Sequence, residues 1–221
     1  IASCLVGSEM CIRDRNSIVE LREREKKAVM KNDAYKLMLQ RQFERLQKKA
    51  YPVIRSTPEN AENDVQVFLA SESEPYDVVL YDLPGTMGTK GVIYTISLLN
   101  YLFIPMRADR LVMQSTLNFA QTVYDKFVEN PATNIQEVFL FWNMEDRRER
   151  TNIYTLYERI LATLDMKVYI SRIQMRSKFS RELADADGTV YRSTLFRSDG
   201  TFLRESGMAA LMDEICTTIG I

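Results

Sequence analysis

The chain of 221 residues contains no histidine. That one absence excludes imidazole general bases and the histidine-ligated catalytic zinc sites. Cysteine is scarce: Cys4, Cys11 and Cys216 make neither a CxxC pair nor a disulfide framework. No apolar run approaches the roughly 18 residues that a membrane-spanning helix needs. Net charge is -1, so any affinity for nucleic acid or an anionic membrane has to come from a local patch. The eight glycines spell neither GxxxxGK[ST] nor GxGxxG, and no Gly-Lys dipeptide occurs. Phosphate-cradling and dinucleotide loops therefore have no support in the sequence. Catalysis is left to carboxylates, lysines, backbone amides or a bound metal.

What is present alternates strand and helix. Val78, Val79, Leu80 and Tyr81 form an apolar run that ends on Asp82 and is followed by Leu83, Pro84 and Gly85. A run apolar on both faces predicts a strand buried on both sides, as in a parallel sheet covered by helices. Asp82 then falls at the carboxyl end of that strand, where open α/β sheets place their ligands. A turn-capping aspartate is the competing reading. Further strands are predicted over 51–55, 101–105, 135–142 and 166–173, with Asn143 closing the third of these. Helices are predicted over 16–31, 35–46, 59–70, 93–99, 111–129, 152–164 and 202–219, with a short one over 177–184 and a turn at Asp187-Gly188. Ser17 and Glu20 fit a capping box at the first. Within the long helix Val112, Leu117, Phe119, Ala120, Val123 and Phe127 are expected to face inward. The alternation predicts a doubly wound, mostly parallel sheet in a single domain over 16–221.

Residues 1–15 do not fit this pattern. They lack the basic start of a signal peptide, and CLVGSEMCIRDR resembles translated sequencing adapter. The segment is therefore set aside as non-native, and two of the three cysteines go with it.

The loop after Asp82 carries Gly85, Gly88 and Gly91 with Lys90. Its GxxGxxG spacing puts the lysine before a glycine, so it is a decoy for a phosphate loop. Two basic stretches stand out. Residues 16–49 carry ten basic and five acidic side chains, and 172–204 carry seven basic against four acidic. A solvated charged face accounts for either.

The segments YDVVLYDLPGT, YLFIPMRADR and FLFWN resemble the ParA/MinD family of deviant Walker ATPases. NSIVELRERE, KKAYPV, LPGT, ADRLVMQSTL, FWN and VYRSTL resemble its ParA-type members from conjugative transposons. The likeness covers residues 16–221. It implies a P-loop NTPase, a Rossmann-like three-layer fold that lacks here its first strand and its phosphate-binding loop. The Walker A lysines, and with them the catalytic residues, are absent, so the chain is expected to be a truncated fragment that is inactive as an ATPase. By the resemblance Asp82 is the Walker B acid holding magnesium through water, and Pro84, Gly85 and Thr86 form the switch-like loop beside the γ-phosphate of ATP. Asn143 bonds the adenine, its amide offering one donor and one acceptor.

The same resemblance implies a cytoplasmic protein that forms an ATP-bridged homodimer and holds nonspecific DNA in partition or conjugative transfer. A ParB-like or transfer-apparatus partner would stimulate it. Arg176, Lys178 and Arg181 are the expected DNA contacts, since only positive charge on one face is required. The alternative is a non-catalytic α/β binding module that uses this basic C-terminal face on DNA or a protein. A membrane role of the MinD kind is discounted, because residues 208–221 hold no Lys or Arg and carry Asp213 and Glu214. Loss of the first strand would leave the 78–81 strand with unpaired backbone groups and prone to aggregate.

Overall fold

The computed structural model describes the backbone of residues 3–8 and, in full, residues 18–83, 85, 87–148, 152–182 and 189–221. The chain divides into two compact units, Ile1–Thr95 with Ser177–Asp199 and Ile96–Arg176 with Gly200–Ile221. The capping-box residue Ser17 and the turn at Asp187-Gly188 lie outside the described residues.

The first unit holds β1 (Ser3–Ser8), α1 (Ile18–Lys31), α2 (Asp33–Leu46), β2 (Val53–Ser56), α3 (Ala61–Ser71), β3 (Val78–Asp82) and the start of α4 (Lys90–Leu98). Its sheet runs β2-β1-β3. Both pairings are parallel, with Leu5 opposite Val53 on one side and Leu80 on the other. The expected gap beside the 78–81 strand is therefore filled by a segment that had been set aside. The physical reason lies in the sheet: β2 and β3 run parallel and need backbone partners, and the apolar run Cys4-Leu5-Val6 is compatible with a strand without specifying its neighbours. β3 is an edge strand among the described residues, and Leu80 on it is 41% exposed. The expectation of burial on both faces is corrected accordingly.

Ala61 and Val65 of α3 form the floor of this unit's core against Ile54, Val79 and Tyr81. The break between α1 and α2 comes where the sequence places Asn32, whose side chain accepts from the N–H groups of Ala34 and Tyr35. That Asx cap satisfies two otherwise orphaned donors at the start of α2.

The second unit holds β4 (Tyr101–Met106), α5 (Arg110–Val123), β5 (Glu137–Glu145), α6 (Ile153–Thr163), β6 (Lys167–Gln174), α7 (Gly200–Glu205) and α8 (Met208–Ile219). Its sheet runs β4-β5-β6, again wholly parallel. Asp109 caps α5 by accepting from Leu111 and Val112, and α5 ends in a π-helical turn over Tyr124–Val128. Leu140, Trp142, Met113, Ala120, Val123, Leu161 and Leu211 are buried here.

Val112 is 40% exposed and Met113 takes the inward position at the start of α5, while Ala120, Val123 and Phe127 are buried as expected. The single helix expected over 202–219 is two. It breaks at Gly207, which adopts φ 82 and lies against the Arg172 carbonyl. β5 runs two residues past Asn143, so that asparagine sits within the strand rather than after it. β6 bulges against β5 between the Leu140–Val168 and Trp142–Arg172 pairs. The amides of Ile170 and Ser171 in that bulge donate to the Glu214 carboxylate on α8.

Candidate functional site

The predicted site residues fall in both units. In the first, Asp82 ends β3 opposite Gly7 of β1 and is exposed. Gly85 lies in the bend that follows, with nothing within 4 Å of where a Cβ would stand. Pro84 and Thr86 lie outside the described residues. The next helix, α4, is seated by its own residues. Val92 donates to Thr89 Oγ1 at 3.3 Å, and Thr95 donates to the Pro58 carbonyl at 2.9 Å. A Cβ on Gly91 would stand 2.7 Å from the Glu59 nitrogen. Gly91 is thus a packing glycine, which lets α4 press on the turn before α3. The GxxGxxG decoy owes one of its glycines to helix packing.

A nucleotide needs more than this end of β3 supplies. The connection from β1 to α1 is where a phosphate loop would stand, and it reads Glu9-Met10-Cys11-Ile12-Arg13-Asp14-Arg15-Asn16-Ser17. It has neither glycine nor lysine. Among the described residues no group of three or more acidic or cysteine side chains is arranged to hold a metal. ATP and magnesium are therefore a poor fit to the residues present: Asp82 is an exposed acid at a strand end, and the β1–α1 connection has no glycine or lysine to grip phosphates.

The basic residues named from the sequence are partly engaged. Lys178 lies over the Tyr191 ring at 4.5 Å and Arg181 over the same ring at 5.9 Å. Both belong to the first unit, where Arg192 also pairs with Glu182. Arg176 belongs to the second unit and donates to the Glu205 carbonyl at 3.2 Å.

In the second unit Asn143 is half-buried on β5. Beside it, at the same end of the sheet, runs a polar network that sequence reasoning missed. Arg172 on β6 pairs with Glu145 and Glu158, and its guanidinium stands 5.6 Å from the Tyr154 ring centre. Gln174 donates to Glu145 and accepts from Arg147 at 2.7 Å. Burial works against the charge on Arg172, but the Glu145 hydrogen bond and the Glu158 and Glu145 charges outweigh it and hold the guanidinium above its ordinary range. Burial also raises Tyr154, whose hydroxyl accepts from the Asp146 amide. The indole N–H of buried Trp142 has no partner among the described residues.

A second missed cluster lies in the first unit. Glu25 is fully buried, and its carboxylate accepts from both the amide and the hydroxyl of Thr194. Arg22 donates to Thr194 Oγ1 at 2.8 Å and to the carbonyls of Thr194 and Tyr51 at 2.7 and 2.9 Å. Gln42 reads the next residues, donating to the Leu195 carbonyl and accepting from the Arg197 amide. Burial lowers Arg22 and raises Tyr51. The only signal for this cluster in the VYRSTL string is the polar run Arg192-Ser193-Thr194 between Tyr191 and the apolar Leu195 and Phe196. Nothing in that string named its partners.

No model of a known protein family matches the chain, and no curated protein matches it in sequence. Among solved structures it is similar to the MinC:MinD cell division protein complex of Aquifex aeolicus. The identity is 14% and the TM-score 0.48, over 80% of this chain and 70% of that one. Independently of that likeness, the strand register makes this an α/β chain of parallel sheets flanked by helices.

Proposed function

We propose that the chain is a ParA-type module of a protein that binds ATP and magnesium, dimerises through the nucleotide and acts on DNA in partition or transfer. The observation that supports this reading is the position of Asp82. It is an exposed carboxylate at the carboxyl end of a parallel strand, followed by a bend and then a helix, which is where α/β sheets present ligands. In that reading Asp82 is the magnesium-side acid and Asn143 the adenine-side amide. The chain as it stands binds ATP weakly, because the β1–α1 connection offers no glycine–lysine cradle.

The test is to replace residues 9–15 with a glycine-rich loop ending in Gly-Lys-Ser and to measure ATP·Mg binding by titration calorimetry. The grafted chain should gain affinity by more than about tenfold, roughly 1.4 kcal/mol, and Asp82→Asn should remove the gain. A gain that survives Asp82→Asn would refute the role given to Asp82. Unaltered binding after the graft would refute the nucleotide reading as a whole.

The reading as a non-catalytic module on DNA draws support from the two cations gathered at Tyr191. It predicts salt-sensitive DNA binding that needs no ATP and is lost on neutralising Arg176, Lys178 and Arg181.

A further inference from the structure

The basic stretch over 16–49 is unevenly neutralised. Lys26 pairs with Glu23, Lys36 with Asp33, and Arg24 with Glu20 and Glu182, while Arg22 and Glu25 are buried. What is left is Lys27 and Lys31 on α1, Arg41 and Arg45 on α2, and Lys48 and Lys49 just beyond it, all exposed. None of these six makes an ion pair among the described residues. Past Asp33, the one acid in the stretch is Glu44, which accepts a hydrogen bond from Gln40.

Arg41 and Arg45 are four residues apart and so share a flank of α2, about 6 Å apart along its axis. The chain leaves the helix at Gln47, in the left-handed region with φ 52, and its N–H returns to the Phe43 carbonyl. Lys48 and Lys49 follow at once, both exposed. The roughly 6 Å from Arg41 to Arg45 is the axial distance that about two phosphates of one DNA strand occupy, and Lys48 follows three residues on. A chain with net charge -1 thus keeps a strip of uncompensated positive charge on one helical hairpin.

We infer that this strip of the α1–α2 hairpin is a surface for the phosphate backbone of nucleic acid. It is separate from Arg176, Lys178 and Arg181 and independent of any nucleotide. An anionic membrane is the weaker fit. Binding there requires a contiguous apolar face to bury, and the apolar side of α2 is already used. Tyr35 packs on Phe196 with ring centres 6.0 Å apart, and Gln42 on the same side holds Leu195 and Arg197. Of the exposed apolar residues of α2, Phe43 falls on the opposite flank from Arg41 and Arg45 and Leu37 on theirs, at 100° per residue, so the two do not make one contiguous apolar face. Contacts of this kind recognise charge, not base sequence.

The test is fluorescence anisotropy of the full chain with a labelled 20-base-pair duplex of arbitrary sequence, without ATP, between about 50 and 200 mM salt. Each neutralised phosphate adds about -0.9 to the slope of log K against log salt. Arg41→Gln/Arg45→Gln/Lys48→Gln should weaken binding at least tenfold at the lower salt and flatten the slope by about 2 to 3. Circular dichroism checks that the variant is folded, and Lys26→Gln/Lys36→Gln, which removes only paired lysines, should bind as the parent does. The inference is overturned if the triple variant binds DNA as the parent does. It also fails if DNA is ignored while vesicles containing phosphatidylserine are bound. Loss of binding only on neutralising Arg176, Lys178 and Arg181 would move the surface elsewhere and overturn it too. No arm depends on Asp82 or ATP, so the proposal stands or falls apart from the nucleotide reading.

Discussion

Arg22 grips Thr194 at two atoms, hydroxyl and carbonyl, across 172 positions of chain. The guanidinium suits this because its donors lie in one plane and reach two acceptors at once. Glu25, one helical turn further on, takes the amide and hydroxyl of the same threonine. Thr194 is thereby held on every polar atom, and the 189–199 segment is tied to α1.

Arg22→Ala should destabilise the protein by about 3 kcal/mol. It removes the donor from the buried Thr194 carbonyl and the half-buried Tyr51 carbonyl, and the Glu25 charge loses the cation beside it. Arg22→Lys should recover only part of this, because an ammonium cannot reproduce the planar fork. Urea unfolding monitored by circular dichroism measures both. A loss of under about 0.5 kcal/mol for Arg22→Ala would place the clasp among contacts that do not contribute to stability.

Two glycines with nearly the same backbone angle should respond differently to alanine. Gly207 has φ 82 and a Cβ there would collide with the Arg172 carbonyl, whereas Gly220 has φ 79 and open space around it. Gly220→Ala should cost about 1 kcal/mol, the left-handed penalty alone. Gly207→Ala should cost well over that, since the α7–α8 break must shift against β6. Equal melting temperatures for the two variants would contradict this.

Stability should fall in alkali. Burial raises the phenols of Tyr51, Tyr154 and Tyr169, and the Glu137 hydrogen bond raises Lys167. A group whose folded pKa lies above its unfolded value contributes in full below the unfolded value and loses that contribution as pH rises through the folded one. The unfolded values are about 10 for tyrosine and 10.4 for lysine, so these groups leave stability level from pH 7 to about 9 and lower it beyond about 10. Urea midpoints at pH 8 and pH 10.5 check the trend, and Tyr154→Phe should reduce the drop between them.

The sequence alone determined the alternation of strand and helix, because hydrophobic periodicity and caps are local signals. Asn32 and Asp109 start α2 and α5 where an Asx side chain next to a helical pattern says they should. The placement of Asp82 at a strand end was legible for the same reason. Tertiary structure decided what pairs with what. Nothing local marks residues 3–8 as the strand between β2 and β3, since parallel neighbours are far apart in sequence and a strand's partner is chosen by the whole sheet. The bulge that carries β6 to Glu214, the break at Gly207 and the burial of Arg22 with Glu25 are of that kind. In an ELRERE string, all the charges read as surface. Only the arrival of Thr194, which donates to one Glu25 oxygen and accepts from Arg22, makes it possible to bury two of them, and the other Glu25 oxygen has no partner among the described residues.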